Sequence, residues 1–239
     1  VLRFLEKHGF QVKAIAGTSA GGIVAALFAA GYSSLEVLER FKEVDQSSLY
    51  GRRPGDGPSI LGVAGINYIL REMLGERTFD ELSIPCSLTA VDLGSETEVI
   101  LKKGRVVDAI LSTIALPGIF PPQQWEGRYL VDGGLLDPVP IVPARELAPH
   151  LPVVAVVLTD LNPRLHNVLE PPAILAAYPL LREISRLRVA QAFNIFLHSA
   201  DLSSRYLTLL RLKMDKPDVV IRPKLSHIGI LDRVDVAEI

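Results

Sequence analysis

The chain has 239 residues, with 25 Lys and Arg against 27 Asp and Glu and a formal net charge of −2. This near-neutral balance leaves no basic footprint for nucleic acid. The 49% hydrophobic and 22% charged residues argue for a packed interior rather than disorder. A single cysteine excludes an internal disulfide framework. The length suits one α/β domain spanning residues 1–239, and a mean hydropathy of +0.30 leaves room for apolar surface or lipid contact.

In chain order, Val1 to Gly9 carries apolar residues at helical spacing and then a glycine stop, with no cap before it. The uncharged stretch Ala14 to Leu35 reaches the ~20 residues of a membrane span. Its glycines and lack of flanking anchors favour another reading: a buried strand over Val12 to Ala16, a tight turn, and a helix from Ala20 to Ala30 closed by Gly31. Ser33 and Glu36 form a capping box before an amphipathic helix to Val44. Gln46 to Ser59 is a long Gly/Pro-rich loop, a lid candidate or simply disordered. Ile66 to Leu74 is expected to be helical, Cys86 to Asp92 and Glu98 to Lys102 to be strands, and Val106 to Ala115 a helix ending before Pro117. Arg128 to Val131 is a short strand, Pro140 to Ala148 a helix, Pro152 to Leu158 a buried strand, Leu180 to Leu212 mostly helical, and Val219 to Ile221 a last strand. Continuous apolar strands interleaved with helices point to an α/β fold with a mainly parallel sheet covered on both faces. The apolar segments Ala192 to Leu197 and Leu207 to Leu212 are expected in the core; Phe120, Trp125 and the 46–59 loop are candidates for lipid contact.

Two motifs carry chemistry. Gly17-Thr18-Ser19-Ala20-Gly21 is a G-x-S-x-G between a strand and a helix, the setting of a nucleophile elbow. Flanking glycines remove Cβ atoms that would clash in a sharp turn, and the serine hydroxyl falls at a helix N-terminus, where developing negative charge is favoured. A serine hydroxyl needs a base. His8, His150, His166, His198 and His227 have no flanking pattern that marks one; His227 is the best placed, because a Ser…Asp…His order puts the base late in the chain. The second motif, Tyr129-Leu130-Val131-Asp132-Gly133-Gly134, sets a carboxylate at a strand end before two glycines that permit close backbone approach. Cys86 lies in an apolar strand and is weakly motivated as a nucleophile. The histidines, cysteine and carboxylates show no metal-ligand spacing, and Gly17 to Gly22 lacks both a dinucleotide fingerprint and a P-loop lysine, so no metal or cofactor is expected.

The chain resembles the patatin-like phospholipases and lipid acyl hydrolases. The resemblance runs through the Val1–Gly9 helix, Ala16 to Gly21, Ala25 to Tyr32, Phe79 to Pro85, Thr89 to Leu93, Ala115 to Pro122, Gly127 to Gly134 and Pro138 to Pro140. It implies a three-layer patatin-like fold and a Ser–Asp dyad without histidine, Ser19 as nucleophile and Asp132 as proton acceptor, supported by Gly17, Gly21, Gly133 and Gly134. It implies a lipid or ester substrate. The protein is expected to be cytoplasmic, with peripheral contact to a membrane surface as an option. The family's glycine-rich oxyanion loop precedes its first helix, and the sequence starts after that place; by analogy with the elbow of other serine hydrolases, Ala20 N–H contributes one oxyanion donor. Two alternatives stay open at this level: an α/β-hydrolase esterase with His227 as base, and a catalytically impaired lipid-binding module. An acyl-enzyme can be resolved by water or by another alcohol, so hydrolysis and acyl transfer share this chemistry.

Overall fold

The computed structural model describes residues 1–44, 48–52, 54–158 and 188–223. Its elements in chain order are α1 (Leu2–Lys7), β1 (Ile15–Thr18), α2 (Ala20–Ala29), α3 (Ser34–Glu43), α4 (Ala64–Leu74), β2 (Cys86–Asp92), β3 (Thr97–Leu101), α5 (Val106–Thr113), β4 (Gln123–Trp125), β5 (Arg128–Asp132), α6 (Ile141–Leu147), β6 (Val154–Val156), α7 (Arg188–Asp215) and β7 (Val219–Ile221). The α/β class expected from the sequence is observed. The sheet itself is mixed: β1 and β2 are parallel, while β3 and β5 both run antiparallel to β2, and β4 antiparallel to β5. β6 and β7 form a separate parallel pair. Apolar runs reveal burial on two faces but not strand direction, so the expectation of a mainly parallel sheet gives way here.

β2 organises the molecule. All seven of its residues are buried. β3 occupies one edge from Leu88 to Asp92. β1 and β5 share the other: β1 pairs with Cys86 to Thr89 and β5 with Ala90 to Asp92. Because β1 runs parallel and β5 antiparallel to β2, their C-terminal ends meet head to head, Thr18 opposite Thr89 and Asp132 opposite Ala90.

On one face, α2 and α5 pack on β2 through a large apolar cluster that includes Ala25, Leu27, Leu88, Ile110 and Leu130. The small residues of α2 allow close approach: a Cβ on Gly22 would stand 2.7 Å from Thr113 Cγ2. The uncharged stretch around α2 is therefore apolar because it is enclosed, and among the described residues no helix is long and apolar enough to cross a membrane. On the other face, α6 meets β1 and β2, and a smaller cluster of Val139, Ile141, Val153, Ala155 and Val157 is closed by Leu212 of α7.

Local signals explain several boundaries. The Ser33–Glu36 capping box is formed. The β4–β5 hairpin, absent from the sequence reading, turns through Glu126 and Gly127, both at positive φ (48° and 78°), the two-residue geometry that matches strand twist. The described part of the 46–59 loop is tied down: Arg52 Nη1 donates to Ser59 O at 2.7 Å, and Ile60 and Leu61 N–H donate to Gly118 O and Ile119 O. Asp45 to Ser47 and Arg53 lie outside the described residues, as do the expected helical residues 180–187. Phe120 is not lipid-facing; it is buried and stacks on Tyr50 with centroids 5.8 Å apart. Trp125 packs half-buried over Gly104. The apolar segments of α7 are only partly core: Phe193, Leu197 and Leu212 face inward, whereas Ile195, Phe196 and Leu210 are exposed.

Leu88 is fully buried at the centre of β2. Leu88→Ala is expected to cost about 2–5 kcal/mol of stability, measured as a fall in the urea midpoint at unchanged m-value.

Candidate active site

The head-to-head meeting of β1 and β5 brings the two motifs together. Ser19 follows β1 directly and caps α2 with φ 54° and ψ −129°. A non-glycine residue in that region stores backbone strain of ~1–3 kcal/mol, and such outliers cluster at functional sites. The turn is sharp enough that a Cβ on Gly17 would lie 2.5 Å from Gly21 O and 2.7 Å from Gly22 Cα. Gly17 and Gly22 are thus required by close approach. Gly21, which the motif suggested for the same reason, has open space around it.

Asp132 ends β5 with its side chain 4% exposed. Ser19 Oγ donates to Asp132 Oδ2 at 2.5 Å, and Gly134 N–H donates to Asp132 Oδ1 at 2.8 Å. Both carboxylate oxygens are therefore held, one aimed at the serine. Burial pushes the Asp132 carboxyl up to about 6, against the opposing hydrogen bonds from Ser19 and Gly134. The chain then turns back over β2, and a Cβ on Gly133 would collide with the hydroxyl and carbonyl of Thr89. A Cβ on Gly134 would sit 3.1 Å from Asp132 Oδ1. These glycines are demanded by packing against the carboxylate and the central strand.

Three buried threonines, read from the sequence only as parts of apolar elements, lock the elbow. Thr113 Oγ1 accepts the Ser19 N–H at 2.9 Å and donates to Thr89 O at 2.6 Å. Thr18 Oγ1 donates to Asp137 O at 2.9 Å and lies 2.6 Å from Thr89 Oγ1, whose proton it can accept. Threonine within otherwise apolar elements, at the ends of β1 and α5 and in the middle of β2, was the available signal, because a buried hydroxyl needs partners. The Ser19 amide being occupied, the Ala20 and Gly21 N–H groups are the ones at the α2 N-terminus without an acceptor among the described residues. Together the groups form a hydroxyl aligned on a carboxylate, beside two unused helix-terminal amides.

The other candidates that the structure describes fall away from this centre. His8 Nδ1 bonds Phe4 O at 2.8 Å and its ring stacks on Phe4. His150 is exposed after α6 and His198 lies within α7; neither has a hydrogen bond to Ser19 or Asp132. His166 and His227 lie outside the described residues. Cys86 is buried, and desolvation pushes its thiol up to about 12, which leaves it protonated and unreactive. Among the described residues no group of His, Cys, Asp or Glu is arranged to hold a metal ion.

Comparison with known proteins places the chain among relatives of one family. An uncharacterized NTE family protein of Mycobacterium tuberculosis is 33% identical over 146 residues, covering 60% of this chain and 40% of that protein. A second uncharacterized NTE family protein of the same organism is 24% identical across 99% of this chain and 41% of its own length. Lysophospholipase NTE1 of Debaryomyces hansenii is 27% identical over 61% of this chain and 10% of its own length. The chain thus spans well under half the length of these relatives. The model of the patatin-like phospholipase family matches residues 1–145, which hold both Ser19 and Asp132: the chain belongs to the patatin-like phospholipase family.

Proposed function

We propose that the protein is a serine acyl hydrolase that cleaves carboxylic esters of lipids, with Ser19 as nucleophile and Asp132 as the proton acceptor. The observation that carries the reading is the 2.5 Å hydrogen bond from Ser19 Oγ to Asp132 Oδ2 on a strained elbow. Family membership points the substrate toward phospholipids, and the lysophospholipase name of one relative points toward single-chain lipids.

In the mechanism, Asp132 takes the Ser19 proton as Oγ attacks the ester carbonyl, forming a tetrahedral oxyanion. Collapse expels the alcohol, which takes the proton back from Asp132, and leaves an acyl-serine. Water then loses a proton to Asp132 while attacking the acyl carbonyl; release of the fatty acid returns the proton to Ser19. The oxyanion falls at the N-terminus of α2, where Ala20 N–H donates to it and the helix dipole is favourable. The raised Asp132 pKa suits the task, since a base near the working pH both accepts and returns the proton.

Hydrolysis of lysophospholipid and of a short p-nitrophenyl ester by the full chain checks this reading. Ser19→Ala is expected to abolish turnover with the fold retained, and failure of the wild type to cleave any carboxylic ester of the panel would overturn the proposal. Because Asp132 must be ionised, kcat/KM is expected to rise through pH of about 6 and to fall ~10-fold per unit below it.

Burial of this carboxylate should cost stability. Asp132 titrates above its unfolded value of 3.8, so its contribution to folding is fully present below 3.8 and is lost as pH rises through about 6. Asp132→Asn retains an acceptor for Gly134 N–H and carries no charge. Denaturant unfolding is expected to show the variant inactive but more stable than wild type at pH 8, by on the order of 2–3 kcal/mol, with the gap shrinking at pH 5.

A further inference from the structure

Behind the Ser19–Asp132 pair lies a charged assembly that the chemistry above does not use. Arg211 of α7 places Nε 3.6 Å from Asp137 Oδ1, Nη2 3.6 Å from Glu98 Oε2 on β3, and Nη1 3.7 Å from Asp215 Oδ2 one turn along α7. The same guanidinium donates to the Leu136 carbonyl, through Nη2 at 3.2 Å and Nε at 3.4 Å. Three carboxyl groups thus face one cation. Asp137 is 1% exposed. Its Oδ2 and Glu98 Oε1 are both buried and lack a hydrogen-bond partner among the described residues. Burial pushes Asp137 up to about 7; Arg211 opposes this, and the neighbouring Glu98 reinforces it.

The assembly grips the turn that leaves Asp132. Leu136 and Asp137 N–H donate back to Gly133 O at 3.1 and 2.8 Å. Asp137 Oδ1 accepts from Val139 N–H at 3.2 Å. Asp137 O accepts from Thr18, the residue immediately before Ser19. Residues 133–137 therefore connect directly to Asp132 at one end and to the serine elbow at the other. An exposed ion pair in this arrangement would contribute little. A nearly inaccessible carboxyl beside a single guanidinium differs, because removal of the cation leaves buried charge without compensation.

We propose that Arg211 and Asp137 are positioning residues of the acyl-hydrolase site. The guanidinium clamps the 133–137 turn to α7, and the Asp137–Thr18 bond transmits that clamp to the alignment of Ser19 on Asp132. The proposal rests on the Ser19–Asp132 reading. It assigns neither residue a contact with substrate.

The test compares Arg211→Lys, Arg211→Met, Asp137→Asn and Asp137→Ala with wild type in the full chain, each checked for native melting and circular dichroism. Two readouts are taken: kcat and KM on a p-nitrophenyl ester, and the rate of Ser19 labelling by a fluorophosphonate. Misalignment of reacting groups by about 1 Å can cost ~10²-fold in rate. Arg211→Met and Asp137→Ala are therefore expected to lose ~10- to 100-fold in kcat and labelling rate at nearly unchanged KM. Asp137→Asn is expected to retain most of the wild-type kcat, because its amide oxygen keeps the acceptor for Val139 N–H. Arg211→Lys keeps the charge but not the fork that spans Leu136 O and the carboxyls, and is expected to be slow. These two conservative variants decide the matter if the others do not fold. Folded Arg211 variants with wild-type kcat, a loss confined to KM, or an Asp137→Asn as slow as Asp137→Ala would overturn the clamp. A wild type that is neither labelled at Ser19 nor active would instead overturn the underlying dyad.

Discussion

The site depends on one register constraint: β1 and β5 share a single edge of β2 and end against each other. β1 reaches Thr18 opposite Thr89 and β5, running the other way, reaches Asp132 opposite Ala90. A serine one residue past the first strand and a carboxylate at the end of the second are thereby neighbours, although 113 positions separate them in sequence. Slippage of either strand by one residue would turn its side chains to the opposite face. The burial of all of β2 and the large apolar cluster on α2 and α5 therefore hold the register on which the Ser19–Asp132 distance depends.

Local costs accumulate at that meeting point. Ser19 holds a positive φ, Asp132 is a carboxylate with almost no access to water, and Gly133 passes against the backbone of Thr89. The surroundings offset these costs with directed hydrogen bonds. Thr113 occupies the strained Ser19 amide, Gly134 holds the second carboxylate oxygen, and Thr18 and Thr89 bridge the elbow to the turn after Asp132. Buried polar networks rigidify when every member is satisfied. Among the described residues the network leaves the serine hydroxyl with one acceptor, the carboxylate, and leaves two helix-terminal amides open beside it. The burial that confines the geometry also raises the proton affinity of Asp132, so precision and basicity share a cause.

Much of this was legible in the chain and part was not. The G-x-S-x-G turn, its flanking strand and helix, the capping box at Ser33 and the carboxylate of the Asp-Gly-Gly motif all depend on local chemistry, and all stand close to where the sequence places them. Strand direction did not follow from composition, because a strand buried on both faces has the same apolar run whether its neighbours are parallel or antiparallel. The β4 strand was invisible: Gln123–Trp125 is three residues long, and its Glu-Gly turn is a weaker signal than Asn-Gly. The threonine lock is faint in the sequence, because Thr18, Thr89 and Thr113 also fit their elements by propensity alone. Gly21 was credited with a steric role that belongs to Gly22, a distinction that depends on how closely α2 approaches Thr113. The Arg211 assembly joins residues from β3, the 133–137 turn and α7, and long-range convergence of that kind leaves no spacing to read.

The central claim is that Asp132, and no histidine, activates Ser19. The most direct measurement is the second-order rate constant for fluorophosphonate labelling of Ser19 as a function of pH, in wild type and in Asp132→Asn. The account predicts a rate that follows a single ionisation near pH 6 in the wild type and collapses at every pH in the variant. Labelling of Asp132→Asn at the wild-type rate, or a wild-type profile abolished by replacement of His227, would contradict it.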